Sequence, residues 1–359
     1  MDPVILTQTA PFSLTQSEKE QFLLNELNAL CELHRQKCAD YRKVLDILYA
    51  GYTTAKALRE IPFLPVGLFK QRTLSSIEPS EVFKVLTSSG TTGQAVSKIY
   101  LDAETAQLQT KALSSIMKTI TENKRLPMII LDSSAVLNDR TQLTARATAI
   151  LGMMNFGRDH IFALDENMEF DQKLVSNYLE KYSGQRIFFY GFTFMVWEYF
   201  CKRLANGCYD LHNSILLHSG GWKKLIAEQV SKEEFNKRIL DVTGIRSVYN
   251  FYGTVEQVGS IFLEGDDGFL YAPNFADVII RDPIDWKECP VGTPGVIQIL
   301  SALPQSYPGH SILTEDLGVV HGIDNSTCKR GGKKFSIIGR VPRTALRGCS
   351  DVHAYAMTR

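Results

Sequence analysis

No Cys-x-x-Cys pair occurs among the seven cysteines, and the repeated spacing of Cys31/Cys38 and Cys201/Cys208 has no histidine set beside it. That argues against a zinc motif, and with an odd count it leaves reduced thiols in a cytoplasmic protein as the reading. Long apolar runs are missing too. RIFFYGFTFMVW comes closest to the roughly 18–20 residues of a membrane span, and Gly191 and Thr193 interrupt it. The first residues, MDPVILTQTAPFSLTQSEKE, lack the basic flank and apolar stretch of a signal peptide. Neither charge sign is in excess: 39 basic residues balance 39 acidic ones. Nothing global therefore draws the chain to nucleic acid or to an anionic membrane surface. Internal repeats and low-complexity segments are absent as well.

What is present is ordinary globular composition. With 359 residues, 44% hydrophobic and 22% charged, the chain can bury a sizeable core as two domains or one large one. The first eighty residues read as helical. Ser17 followed by Glu20 predicts a capping box, and Leu23, Leu27, Leu30 and Leu33 recur at helical spacing. IPFLPVGLFK, with Pro62 and Pro65, ends this region, and Phe83, Val85 and Leu86 predict a short strand. Asp102 can cap a helix whose Leu108, Ala112, Ile116 and Ile120 share one face.

Apolar runs at 127–132, 186–191, 214–221 and 247–253 then alternate with helical segments such as FMVWEYFCKRLA and KEEFNKRILDV. This alternation predicts an α/β fold with buried, parallel-rich sheets flanked by helices. From about Gly265 the texture becomes β-rich, so the expected division is an N-terminal helical region plus α/β core over 1–265 and a small β-rich subdomain with a tail over 266–359. The basic cluster in CKRGGKKF reads as an exposed turn.

The stretch 86-LTSSGTTGQAVSK-98 gathers Ser88, Ser89, Gly90, Thr91, Thr92 and Gly93, side chains with little apolar area to bury. Glycines allow tight turns that aim N–H groups at an anion, and hydroxyls add donors. It is neither a P-loop nor a dinucleotide fingerprint, which leaves a phosphate cradle or an ordinary loop. Three further pieces are ambiguous alone. In 252-YGTVE-256 an aromatic ring can stack on a purine, Thr254 can donate to a phosphate and Glu256 can hold Mg²⁺, or the segment is a strand end with an exposed acid. Asp316 in TEDLG can accept from both ribose hydroxyls or lie in a turn; Arg340 in Gly339-Arg340-Val341 can be functional or surface. The glycine loop, 218-HSGG-221 and 252-YGT-254 share one address, just past predicted strands, where open α/β sheets bind ligands.

Taken in order, a Ser/Thr/Gly loop, Tyr-Gly-x-x-Glu, Thr-x-Asp and Gly-Arg resemble the motif series of the adenylate-forming superfamily of acyl-CoA synthetases and firefly luciferase. The resemblance implies that Ser88–Gly93 hold the phosphates of ATP, with Thr91 and Thr92 as donors. It places Gly220, Gly221 and Tyr252, followed by Gly253, beside the adenine. Thr254 then falls at the α-phosphate, Glu256 on Mg²⁺, Asp316 on the ribose and Arg340 near the ribose or phosphate. Two departures stand out: Val96 occupies the place of the loop's usual lysine, with Lys98 nearest, and little chain follows Gly339-Arg340, where the superfamily continues into a mobile lysine-bearing domain.

One branch is similar with that shortening included, the acyl-protein synthetase LuxE family of bacterial fatty-acid reductase complexes. The similarity runs through LPVGLFK, SSGTTG, SGGWK at 219–223, TVEQ at 254–257, TEDLGVV at 314–320 and RGCS at 347–350. It implies a cytoplasmic enzyme that activates a fatty acid as acyl-AMP and carries the acyl group as a thioester on Cys349 for a partner reductase. A thiolate is a good nucleophile for a mixed anhydride, and Arg343 or Arg347 can lower the thiol's pKa. Lys223, Lys224 or Lys98 is the candidate for the missing positive charge at the α-phosphate. Two other outcomes fit the same motifs: a ligase that hands the adenylate to coenzyme A or a carrier protein, and a silent nucleotide-binding scaffold. Phe192, Phe194, Met195 and Trp197 read equally as an acyl pocket or as core.

Overall fold

The computed structural model describes residues 9–88, 96–138, 145–222 and 229–342. Ser89, Gly90, Thr91, Thr92, Gly93, Lys223, Lys224, Arg343, Arg347 and Cys349 lie outside the described residues. Contacts divide the chain into two compact units, residues 1–113 with 253–359, and residues 114–252. The boundary expected near residue 265 came from a change of texture, whereas this division follows contacts.

In the first unit helix α1 (Gln16–Lys37) buries Leu23, Leu27, Leu30 and Cys31, and Leu33 lies half-buried beside them. Its capping box is Thr15 with Glu18, two residues earlier than the expected Ser17 and Glu20. Both pairs fit the spacing. Asp324 decides between them, because its carboxylate accepts from the Gln16 N–H at 2.9 and 3.0 Å and so fixes where the helix starts. Helix α2 (Ala39–Leu48) follows at once. A short strand β1 (Leu64–Pro65), within the LPVGLFK segment, pairs in parallel with a later strand. Strands β2 (Lys84–Thr87) and β3 (Lys98–Leu101) form an antiparallel pair in which Thr87 faces Lys98. Helix α3 (Ala103–Thr121) is capped by Asp102, whose carboxylate accepts from the Thr105 N–H at 2.7 Å. Ala112, Ile116 and Ile120 are buried as the periodicity predicts.

The second unit is a parallel sheet. Strands β4 (Leu126–Ser133), β5 (Gly157–Leu164), β6 (Phe188–Phe192), β7 (Ile215–Ser219) and β8 (Ser247–Tyr252) run in the order β5-β4-β6-β7-β8. All four pairings are parallel. Helices α4 (Ala145–Met154), α5 (Gln172–Lys181), α6 (Thr193–Met195) and α7 (Lys232–Thr243) lie between strands in sequence. The core joins Ile129, Phe189 and Leu216 of the sheet to Phe200, Phe235 and Ile239. Strand β5 has no counterpart among the expected strands. It lies at the end of the strand order, and the polar run Arg158, Asp159 and His160, of which the first two are exposed, hides the pattern.

The chain then builds the antiparallel sheet of the first unit. Its order is β11 (Ala276–Arg281), β12 (Gly295–Ser301), β13 (Ser311–Ile323), β14 (Lys333–Arg340), β10 (Leu270–Tyr271) and β9 (Phe262–Glu264), with β1 added alongside β13. Ile279, Leu300 and Ala302 pack against the leucines of α1. The basic cluster expected on an exposed turn is partly internal. Lys333 is buried, donates to the Val278 carbonyl at 2.8 Å and pairs with Asp277 at 3.4 Å. Arg330 donates to the Leu263 carbonyl and lies over the Phe12 ring. A buried cation must find such partners, and strand pairing supplies them in a way that local composition does not reveal.

Candidate active site

In the first unit the paired strands β2 and β3 lie on either side of the Ser/Thr/Gly segment in sequence, and of that segment only Ser88 is among the described residues. Ser88 closes its base: the Ser88 N–H donates to the Ser97 carbonyl at 3.1 Å, and the Ser97 N–H donates to the Ser88 hydroxyl at 2.9 Å. The hydroxyl proton of Ser88 is not used by that bond. Lys98 begins β3 directly after this clamp and is exposed.

Strand pairing brings Asp316 and Arg340 together. They face each other across β13 and β14, with Arg340 Nε 3.2 Å from Asp316 Oδ1. Asp316 is largely shielded, with its side chain 16% exposed, while that of Arg340 is 78% exposed. Thr314 anchors the strand here: its hydroxyl donates to the Ile297 carbonyl at 2.8 Å and accepts from the Asp316 N–H at 3.2 Å. In the TED segment, therefore, the threonine holds the backbone and the aspartate faces the arginine.

Gly253, Thr254 and Glu256 lie on one turn, where residues 255–257 form a single 3₁₀ segment. Glu256 and Gln257 are buried, and Gln257 Nε2 donates to the carbonyls of Ile299 at 3.1 Å and Gly309 at 2.8 Å. Thr254 Oγ1 is buried and has no hydrogen-bond partner among the described residues. A buried hydroxyl left unpaired costs free energy, about 1–3 kcal/mol in mutational data, so this turn suits a ligand that pairs with it. A carboxylate beside a hydroxyl is also the hard-oxygen donor set that Mg²⁺ takes together with substrate phosphates. Among the described residues no group of three His, Cys, Asp or Glu is gathered for a metal. A Mg²⁺ held by one carboxylate and phosphates requires none.

In the second unit Ser219 ends β7 opposite Phe251 of β8, so Gly220 and Tyr252 fall at adjacent carboxyl ends of the parallel sheet. The chain turns through Gly220 at φ +77°. Trp222 packs on Trp197 at 5.8 Å and on Phe235 at 6.5 Å between ring centroids, which anchors the SGGW segment. Trp197 and Met195 are buried, so of the four candidate acyl-pocket residues these two belong to the core. Trp197 lies in a π-helical turn, Val196–Cys201. His218 is internal too: its Nδ1 is 2.9 Å from the Thr193 hydroxyl, its ring lies on Phe235, and burial lowers its pKa to about 3. Thr193 Oγ1 donates to the Ser219 carbonyl and accepts from the neutral imidazole, so the threonine fixes the backbone just before Gly220.

The structure thus groups Asp316 with Arg340, Thr254 with Glu256, and Gly220 and Gly221 with Tyr252. Ser88 stands at the base of its loop. Sequence reasoning missed the supports, Thr193, His218, Thr314 and Tyr307. Only His218 and Thr314 carried a signal, through their places in HSGG and TED.

Solved structures share this fold. A 2-hydroxyisobutyryl-CoA ligase in an open conformation, in complex with 2-HIB-AMP and CoA, matches at a TM-score of 0.66 and 15% identity over 95% of this chain and 78% of that one. The same ligase in its thioesterification state matches at 0.66 and 15% identity over 94% of this chain and 72% of that one. The fold is that of the adenylate-forming ligases. A Vibrio harveyi long-chain-fatty-acid–luciferin-component ligase is 24% identical over 370 residues, covering 100% of this chain and 94% of that protein. The family model for acyl-protein synthetase, LuxE, matches residues 1–358, and the chain belongs to that family.

Proposed function

We propose that the protein is an ATP- and Mg²⁺-dependent synthetase that activates a long-chain fatty acid and carries it as a thioester on its own Cys349. In the first step a carboxylate oxygen of the acid attacks the α-phosphorus of ATP and pyrophosphate leaves. In the second the Cys349 thiolate attacks the acyl carbon and AMP leaves. The thioester then goes to a partner reductase in the cytoplasm. The observation that carries the reading is the Asp316–Arg340 pair, a shielded carboxylate and an exposed guanidinium held face to face by strand register. Such a pair suits ribose hydroxyls on one side and phosphate on the other.

In this reading Ser88, Ser89, Gly90, Thr91, Thr92 and Gly93 hold the phosphates, and Thr254 donates at the α-phosphate. Gly220, Gly221, Tyr252 and Gly253 border the adenine, Glu256 binds Mg²⁺, and Lys223 or its neighbours supply charge to the developing phosphate. When bound, Mg²⁺ would neutralise phosphate charge. Among the described residues the cysteines are free thiols, which suits a reducing compartment, and no helix is long and apolar enough to cross a membrane.

Intact-protein mass measurement after incubation with ATP, Mg²⁺ and fatty acids of graded length tests the proposal. A hydroxylamine-labile acyl adduct supports it. Pyrophosphate release without an adduct moves the acceptor to another thiol, and neither signal with any acid contradicts it. Asp316→Ala is expected to raise the KM for ATP about 10–100-fold with a much smaller change in kcat, as loss of charge-assisted bonds worth about 1.5–3 kcal/mol predicts. Its partner Arg340 stays exposed, so thermal unfolding should shift little. An unchanged KM would remove Asp316 from the nucleotide site.

A further inference from the structure

The turn that carries Glu256 is held by a loop that the proposed reaction does not itself use. Residues 302–310 connect β12 to β13, and all but Gln305 are buried. Tyr307, wholly buried, donates its hydroxyl to the Glu256 carbonyl oxygen at 2.9 Å and accepts from Gln109 Nε2 at 3.4 Å. Phe69 of the LPVGLFK segment packs edge-on against the Tyr307 ring at 6.4 Å. Gly309 completes the fit. A Cβ there would lie 2.2 Å from the Tyr307 ring and 2.8 Å from the Glu256 carbonyl oxygen, so no larger residue leaves this geometry intact. One residue after Glu256, Gln257 donates to the Gly309 carbonyl, so one loop grips both neighbouring residues of the turn.

We propose that Tyr307 is a positioning residue: its hydroxyl fixes the backbone of Glu256 and thereby aims that carboxylate at Mg²⁺. The inference rests on the reading of Glu256 as a metal ligand. A partner of the ligating group itself typically governs about 10–100-fold in metal affinity, and Tyr307, which bonds the backbone that carries the ligand, is placed at the low end of that range.

The test uses the full chain with a non-hydrolysable ATP analogue and Mn²⁺ as the probe, bound metal being read by electron paramagnetic resonance. Tyr307→Phe is expected to weaken Mn²⁺ binding about tenfold or more. Phe69→Leu, which loosens the same loop without touching the hydroxyl, is expected to lower the melting temperature and leave Mn²⁺ binding unchanged. Equal weakening in both variants would reduce Tyr307 to packing and overturn the proposal. If Glu256→Gln loses Mn²⁺ while Tyr307→Phe binds as wild type does, the positioning role is wrong and the metal role of Glu256 stands. If Glu256→Gln binds Mn²⁺ normally, the metal reading fails and the inference falls with it. Should Tyr307→Phe not fold, Gly309→Ala, whose Cβ would lie 2.2 Å from the Tyr307 ring and 2.8 Å from the Glu256 carbonyl oxygen and so part the two, is expected to weaken Mn²⁺ binding in the same direction. Unchanged binding in that variant overturns the proposal.

Discussion

Cys349→Ser is expected to abolish the covalent acyl adduct, a loss of more than about 100-fold, while single-turnover pyrophosphate release stays within about twofold of wild type. The split follows from the two steps. In the proposed reaction adenylation uses the acid, ATP and Mg²⁺, and needs no protein nucleophile. Transfer needs a thiolate, and a serine hydroxyl without an activating base is a poor substitute. The other cysteines sharpen the expectation. Cys31, Cys38 and Cys201 are buried, and burial pushes their thiol pKa values up, for Cys201 to about 12. They are protonated and inaccessible at neutral pH. Cys208, Cys289 and Cys328 are half-buried, so an adduct that survives in Cys349→Ser must be sought there by peptide mapping. Survival of the adduct would remove Cys349 as the acceptor.

The second large effect concerns acid. Among the described residues three histidines are buried and neutral. His34 accepts at Nδ1 from the Ser76 hydroxyl at 2.8 Å and donates from Nε2 to the Pro304 carbonyl at 3.1 Å, and burial lowers its pKa to about 4. His310 stacks on His34 at 5.1 Å, and burial, then the neighbouring imidazole, lowers its pKa well below the ordinary value. His218 falls to about 3 through burial and then Lys232. In the unfolded chain each titrates near 6.5. Protons therefore bind the unfolded chain first. Stability is fully present above about pH 6.5 and is lost as pH falls from there toward the folded values. Each histidine contributes about 1.4 kcal/mol per pH unit, so three together approach 4 kcal/mol per unit. Against a typical total of 5–15 kcal/mol, a loss of about 6 kcal/mol between pH 6.5 and 5 removes a large fraction of the stability. Asp277, held below its ordinary value by Lys333 and Lys19 although burial acts to raise it, contributes only at lower pH. Urea unfolding at pH 7.5, 6.0 and 5.0 measures the slope, and a flat stability from pH 7 to 5 would contradict the account. Replacing one of the three by a neutral residue should cut the slope by about a third.

Much of the parallel sheet was readable from short apolar runs ending in small residues, because buried strands need continuous apolar side chains. β4, β6, β7 and β8 lie where those runs predicted. β5 was not readable, since a strand at the end of the order can carry the polar run Arg158, Asp159 and His160, of which the first two are exposed. The helix start was displaced by two residues because Asp324, 308 residues from Gln16, decides it. The candidate site divides in the same way. Asp316, Arg340, Thr254 and Glu256 stand in local motifs that a reader of sequence can find. Tyr307 does not, because its bond to Glu256 spans 51 residues and a tyrosine in Ser-Tyr-Pro-Gly-His looks like any turn. Lys333 failed as an exposed residue for a related reason: its partner Asp277 lies on another strand of the sheet.

Fatty-acid-dependent exchange of labelled pyrophosphate into ATP, measured on this chain alone with Mg²⁺, tests adenylation most directly. Exchange that requires a long-chain acid and disappears on chelation of Mg²⁺ is the predicted result. No exchange with any acid across chain lengths, from protein whose fold is intact, would contradict it.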